Sequence, residues 1–192
     1  MCKILPLSHA GELLFAINEC SVASCVPLLI QQNVDGSNFF NRSWTEFKVG
    51  FNDSSGNYWL GNDLLSELTL NGHYKLKFDL QSRTNTSNWY YAEYSTFLVL
   101  SEATNYTLHF GEYSGNAGDS FRHNNSMMFS TYDRDNDQRS AESCAVRSAV
   151  WWHNDCNWAD VNSAGTGWHA FSWDNLPGGR ELQSSRMWLH CK

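Results

Sequence analysis

Three carboxylates at alternate positions, Asp133, Asp135 and Asp137, lie in the run from Ser130 to Asp137, and two cysteines, Cys144 and Cys156, follow around the pair Trp151 and Trp152. Ca2+ takes hard carboxylate, carbonyl and water oxygens, so this spacing points to a calcium-organised loop. The loop is not an EF-hand. Counted from Asp133, the residue where that motif needs glycine is Gln138, and the residue where it needs a closing glutamate is Cys144. No catalytic motif competes with this reading: the sequence lacks a Gly-x-Ser-x-Gly elbow, a His-Glu-x-x-His pair and a phosphate-binding glycine loop. The seven histidines, at 9, 73, 109, 123, 153, 169 and 190, show no compact metal spacing. The protein is not expected to be an enzyme.

Composition bounds the setting in which such a loop works. Nine Trp, eight Tyr and eleven Phe among 192 residues supply a substantial core. Thirteen basic residues stand against twenty acidic ones, a formal charge of −7, and they are scattered, so neither nucleic acid nor an anionic membrane surface has a positive patch to meet. Six cysteines accompany five N-x-Ser/Thr sequons, at Asn41, Asn52, Asn85, Asn105 and Asn124. Together they predict a secreted, disulfide-bonded glycoprotein; zinc is disfavoured because no Cys-x2-Cys pair exists. The apolar run Leu13 to Ile17 is too short for a membrane span and makes a poor signal peptide.

The elements that must position the acidic loop are readable in outline. Residues 1–30 have no clear period and are expected to form an atypical or truncated leading segment, with one globular domain over 31–192. Asp35 and Gly36 mark a turn, Trp44 to Lys48 reads as a short helix capped by Asn41 or Ser43, and Gly61 to Asp63 should cap a second through Leu64, Leu65 and Leu68. Tyr74 to Leu80 alternates strictly, with Tyr74, Leu76, Phe78 and Leu80 on one face, and Trp89 to Leu100 and Tyr106 to Phe110 continue in that manner. From Ser114 to Gly179 the sequence is irregular yet carries Trp151, Trp152, Trp158, Trp168 and Trp173, which requires an ion and a disulfide to hold it in order; Arg186 to Cys191 reads as a last strand. The fold class expected is α+β, with a central, mainly antiparallel sheet, short helices and a long irregular loop region.

Several blocks carry a resemblance to a known family. Val34 to Ser37, Trp44, Gly50 and Phe51, Tyr58 to Asn62, Tyr91 to Tyr94, Ser114 to Asp119, Phe129 to Asp137, Cys144 and Ala145, Trp151 and Trp152, Cys156, Leu182 and Met187 make residues 31–190 similar to the fibrinogen C-terminal-like domain of fibrinogen, ficolins, angiopoietins, tenascins and tachylectin-type lectins. That resemblance implies a secreted, non-enzymatic module that binds glycans, acetylated groups or extracellular proteins, here as a lectin-like domain in innate defence or, alternatively, a protein-binding or structural module without sugar binding. It further implies Ca2+ on the Asp135 and Asp137 side chains, with the shell completed by backbone carbonyls between Arg139 and Ser143, among them Arg139 and Ala141, and by water. The loop from Asp137 to Cys144 is slightly longer than the family form.

The resemblance also implies a Cys144–Cys156 disulfide, with Trp151 and Trp152 packed against it and a cis Asp155–Cys156 peptide bond. The acetyl-binding hollow of lectin relatives is largely missing. Ser148 stands four residues after Cys144 and Asn157 follows Cys156, where those relatives carry Tyr and His, and the stretch from Cys156 to Gly167 is short and contains no Tyr. Trp158, Asn157, His153 and His169 are the candidates to rebuild a pocket, Trp stacking on a sugar face while Asn and His bond hydroxyls; the alternative is that Trp158 closes the core over the shortened loop and that His153 packs where relatives carry an aromatic. Cys2, Cys20, Cys25 and Cys191 allow three complete pairings. A homo-oligomer is expected to form through surfaces or through a bridge at Cys2 or Cys191, since no collagen-like or coiled-coil segment is present.

Overall fold

A computed structural model describes residues 26–165 and 170–192. In sequence order, β1 (Leu28–Asn33) precedes α1 (Trp44–Val49), β2 (Phe51–Asn52), β3 (Tyr58–Trp59), α2 (Asn62–Asn71), β4 (Tyr74–Ser82) and β5 (Trp89–Val99). There follow β6 (Leu108–Phe110), β7 (Tyr113–Gly115), β8 (Phe129–Ser130), α3 (Cys144–Arg147), β9 (Trp151–Trp152), β10 (Ala159–Asp160), β11 (Ser172–Trp173) and β12 (Leu182–Cys191). The main sheet runs β2-β3-β1-β12-β4-β5-β6, with β7 also on β5, and every pairing is antiparallel. β1 starts at Leu28, three residues before the expected domain boundary, and inserts between β3 and β12.

Alternation builds the sheet. Leu76, Phe78 and Leu80 of β4 are fully buried while Lys75, Lys77 and Asp79 face outward. On β5 the alternation breaks: Ala92 and Tyr94 are buried, then Phe97 and Val99, with a register slip opposite Tyr74 and Leu76. The extra residue is a bulge that returns the strand to its core face and increases the local twist. Gly111 faces it, and a Cβ there would lie 2.5 Å from Ser95 Oγ.

The helices cover the core beside the loop region. Ser43, not Asn41, caps α1: its Oγ accepts from the Glu46 N–H at 3.4 Å and Glu46 Oε2 accepts from the Ser43 N–H at 2.9 Å, a complete capping box. On α2 the cap falls within the expected Gly61 to Asp63 but uses no side chain. Gly61 occupies the N-cap at φ 105°, and the Asn62 carboxamide oxygen accepts instead from Trp59 Nε1 at 3.2 Å. The core is aromatic: Trp59, Trp151, Trp152, Phe47, Phe121 and Phe129 are fully buried, with Trp59, Phe129 and Trp152 in mutual ring contact. The tryptophan pair is thus a core element. Trp152 Nε1 donates to the Tyr106 carbonyl at 2.8 Å, which satisfies its buried N–H.

The stretch expected to be irregular is tied together by two small sheets, β8–β9 and β10–β11. Cys191 is the last residue of β12 and is disulfide-bonded.

Candidate functional site

The three alternating aspartates have separate roles. Asp133 Oδ1 accepts from the Trp44 N–H at 3.0 Å, so the first carboxylate binds the N-terminus of α1 to the loop. Asn136 fixes the middle of the run, donating to the Phe129 carbonyl at 2.8 Å while its own N–H donates to Ser130 Oγ at 3.0 Å. Asp135 and Asp137 are left facing each other across the turn. Asp135 Oδ1 accepts from the Asp137 N–H at 3.2 Å; Asp137 accepts from the Arg139 N–H at 2.8 Å and the Cys144 N–H at 2.7 Å. Burial raises the Asp137 carboxyl above the ordinary aspartate range, and the neighbouring Asp135 carboxylate pushes it the same way.

The Arg139 guanidinium, two residues after Asp137, pairs with Asp155 at 3.0 Å, and among the described residues no ion pair to Asp135 or Asp137 forms. Two adjacent carboxylates with no basic partner are an oxygen donor set suited to Ca2+. Among the described residues no cluster of three acidic, His or Cys side chains forms, so an ion held here would use two carboxylates and complete its shell with backbone carbonyls and water. Arg139 and Ala141, expected to supply carbonyls, lie in the segment between Asp137 and Cys144.

A disulfide joins this loop to the next. Cys144 and Cys156 are bridged, Cα to Cα 5.5 Å, as expected. The Asp155–Cys156 bond, expected cis, is trans, as are all described peptide bonds. A non-proline cis bond costs about 3 kcal/mol; here the turn closes without it, through the Asn154 N–H donating to the Cys156 carbonyl at 2.8 Å. Asn154 also accepts from the Gln138 N–H at 3.2 Å and donates from its side chain to the His123 carbonyl at 3.2 Å, linking the acidic loop to the turn Phe121–Asn124.

The candidate pocket residues are only partly brought together. Trp158 is 39% exposed, packed against the His123 ring, with the Arg122 guanidinium 5.2 Å from its ring centroid. Its carbonyl accepts from the Asp174 N–H at 2.9 Å, which holds the loop against β11. Asn157 is half-buried and donates to the Ala159 carbonyl at 2.8 Å, leaving its carboxamide oxygen for other donors. His153 is not a contact residue. It is fully buried, its Nε2 faces the Ala149 carbonyl, and burial holds its imidazole below the usual range and so neutral. His169 lies outside the described residues. Arg122, His123 and Asp174 join this surface although no local sequence signal connects them with Trp158; a basic residue beside an aromatic becomes informative only once the loops meet.

A hollow of about 220 Å3 is lined by Asn38, Asn41, Ser148, Ala149, Asn162 and Ala164 among others. Beneath it the Ser148 hydroxyl donates to the buried Asp160 carboxylate and lies 3.3 Å from Ser163 Oγ. Ser, His and Asp side chains are close here, yet the arrangement is not that of a nucleophile and base, because Ser148 bonds the Asp while His153 bonds a carbonyl. Asp160 Oδ1 has no partner. Burial raises the Asp160 carboxyl above the ordinary range, opposed by His153 and its hydroxyl donors. A raised folded-state pKa favours the fold below the unfolded value and loses that contribution as pH rises through the folded value. Asp160→Asn retains an acceptor for Ser148 and removes the buried charge, so it should stabilise the protein at neutral pH by about 1–2 kcal/mol. Melting temperatures of both proteins across pH 4 to 8 check this, and a constant gap between them would contradict it.

Comparison with known proteins bears on this surface. The family profile described as fibrinogen beta and gamma chains, C-terminal globular domain, matches residues 19–187. Fibrinogen-like protein A of Apostichopus parvimensis is 38% identical over 157 residues, covering 78% of this chain and 55% of that protein. Human ficolin-3 is 35% identical over 136 residues, 70% of this chain and 45% of its own length. The chain therefore spans about half the length of these relatives. Among solved structures, the fibrinogen-like globe domain of human ANGPTL2 superposes with a TM-score of 0.77 at 33% identity over 86% of this chain and 80% of that one. Lamprey fibrin D-dimer, complexed with the peptide ligand Gly-His-Arg-Pro-amide, superposes with a TM-score of 0.73 at 28% identity, over 84% and 60%.

Proposed function

The protein belongs to the family defined by the C-terminal globular domain of the fibrinogen beta and gamma chains, and from that premise we propose that it is a secreted, calcium-stabilised recognition domain of lectin type, binding glycans or acetylated groups in innate defence. Its fold is the fibrinogen-like globe, and fibrinogen-like domains are generally non-enzymatic recognition or structural modules. No described helix is long and apolar enough to cross a membrane.

The observation that carries the reading is Trp158: a large ring, exposed on a disulfide-anchored loop, with Arg122 over its face and Asn157 beside it. An indole face stacks on the apolar face of a pyranose, while guanidinium and carboxamide groups bond its hydroxyls. Calcium on Asp135 and Asp137 would supply electrostatic stabilisation of the loop whose far end carries that ring, and no step of recognition needs the ion to touch ligand. Binding to glycan and acetylated-sugar arrays, with calcium and with chelator, tests this. Trp158→Ala should reduce retention at least about tenfold, a loss of about 1.4 kcal/mol, in a protein that still folds but melts lower for want of the contacts with His123 and Arg122. Failure of the folded wild-type protein to retain any arrayed ligand would sink the proposal.

A second reading is favoured by one observation. The relative solved with Gly-His-Arg-Pro-amide holds a basic peptide, and the present protein has a net charge of −7 with Asp155, Asp119 and Asp174 around the same loops. On that reading the surface takes an extracellular protein. Capture of a protein partner, undiminished by competing acetylated sugars, would decide for it.

A further inference from the structure

The five N-x-Ser/Thr sequons occupy unequal places in the fold. Asn124 is fully buried and its amide nitrogen donates to the Trp152 carbonyl at 2.7 Å, so a saccharide on that nitrogen would break the bond and enter the aromatic core. Asn105 is half-buried in a left-handed conformation at φ 54°, and its carboxamide oxygen accepts from Arg134 at 2.6 Å while its nitrogen lies 3.3 Å from the Met128 sulfur. The Asn41 sequon uses Ser43, whose hydroxyl is committed to the α1 capping box. Asn52 sits in β2, paired with Tyr58.

Asn85 differs from all of these. Asn85, Thr86 and Ser87 form the tip of the β4–β5 hairpin, and theirs is the one sequon whose three residues are all exposed. The Ser87 N–H donates to the Asn85 side-chain oxygen at 3.1 Å and the Asn88 N–H donates to the Asn85 carbonyl at 2.9 Å. This turn engages the carboxamide oxygen and leaves the nitrogen uncommitted. Below the tip, backbone bonds close the strands: Arg83 donates its N–H to the Glu181 carbonyl at 3.0 Å and Ser82 to the Asn88 carbonyl at 3.1 Å. A bulky group on Asn85 therefore projects from a turn whose base is already held.

We propose that Asn85 carries an N-linked glycan and that Asn105 and Asn124 carry none. The inference rests on the extracellular reading of the protein, since the modification belongs to secreted proteins. In the transfer, Asn85 Nδ2 bonds the anomeric carbon of a lipid-diphosphate-linked oligosaccharide as the carbon–oxygen bond to the diphosphate breaks; the amide loses one proton and the lipid diphosphate leaves with the electron pair. The nascent chain receives the sugar before it folds, so the fold acts as a filter. A glycan at Asn85 passes it, and one at Asn124 does not.

The test is secretion of this chain behind an export signal from a eukaryotic host, followed by peptide mapping after enzymatic deglycosylation in heavy-oxygen water. The heavy label is expected at Asn85 and absent at Asn105 and Asn124. Asn85→Gln and Ser87→Ala should each lose one glycan's mass and keep the wild-type melting temperature. Secreted, folded protein with Asn85 unlabelled, label at Asn124, or a glycan at Asn85 that survives Ser87→Ala would each overturn the proposal. Because the host supplies export, a negative result counts against Asn85 alone; the extracellular reading is tested separately, by locating the protein in its own source.

Discussion

Asp137→Ala is expected to abolish the response of the melting temperature to calcium and to destabilise the protein even in chelator. The carboxylate accepts two backbone N–H bonds, from Arg139 at 2.8 Å and Cys144 at 2.7 Å, that set the two ends of the loop. Bonds to a charged acceptor are worth about 1.5–3 kcal/mol each, but burial beside Asp135 opposes the ionised form. The opposing terms leave a loss of about 1–2 kcal/mol without calcium. With calcium at a hundredfold excess over its dissociation constant, wild type gains about 2.7 kcal/mol more, which the variant forgoes. Asp133→Ala is the control. It removes only the bond to the Trp44 N–H, so it should cost about 1 kcal/mol in both conditions and keep the calcium response. Equal melting of wild type in calcium and in chelator would remove the ion from the account, and an Asp133 variant that lost the response would reassign the ligands.

The second large effect is expected from Cys144→Ser with Cys156→Ser. The bridge closes a loop of sequence separation 12, and a loop of that order constrains the unfolded state by about 3 kcal/mol. The loss is not confined to conformational entropy. The bridge also anchors the Cys144 N–H that Asp137 accepts and the Cys156 carbonyl that closes the Asn154 turn, backbone groups that serine keeps but no longer holds in place. The double variant should therefore weaken calcium stabilisation and ligand retention together. Combined with Asp137→Ala, it should cost less than the two losses added, because both act on one loop; coupling of about 0.5–3 kcal/mol is usual for such neighbours. Chemical denaturation of the four proteins measures this, and strict additivity would show that bridge and carboxylate stabilise independently.

Periodic elements were readable from the sequence because each residue reports its own environment. The alternation of Tyr74 to Leu80 predicted the buried Leu76, Phe78 and Leu80 of β4, and the α1 cap was narrowed to Asn41 or Ser43, of which the structure uses Ser43. The two-residue strands β8 to β11 were not readable, since a pair of residues has no period, and the bulge in β5 was not, since it answers to Gly111 and β7 rather than to β5 itself. The same division runs through the site. Asp135, Asp137, Cys144 and Cys156 lie within 22 residues of one another; type and spacing marked the run as a calcium-loop candidate, and the family resemblance singled out the last two carboxylates and the cysteine pairing. His153 has the right type for a ligand contact and is enclosed in the core. Arg122 has no motif and lies over Trp158.

The amino-acid sequence by itself thus carried the family, through motif blocks spread along the chain, and with the family the Cys144–Cys156 bridge, because these depend on residue identity rather than on packing. Only the tertiary structure decided that Asp133 serves a helix, that His153 is buried, that Trp158 is exposed beside Arg122 and that Asn85 alone among the sequons is exposed throughout. Each of those outcomes depends on which distant segment occupies the space next to the residue, and burial is a property of that packing rather than of the residue.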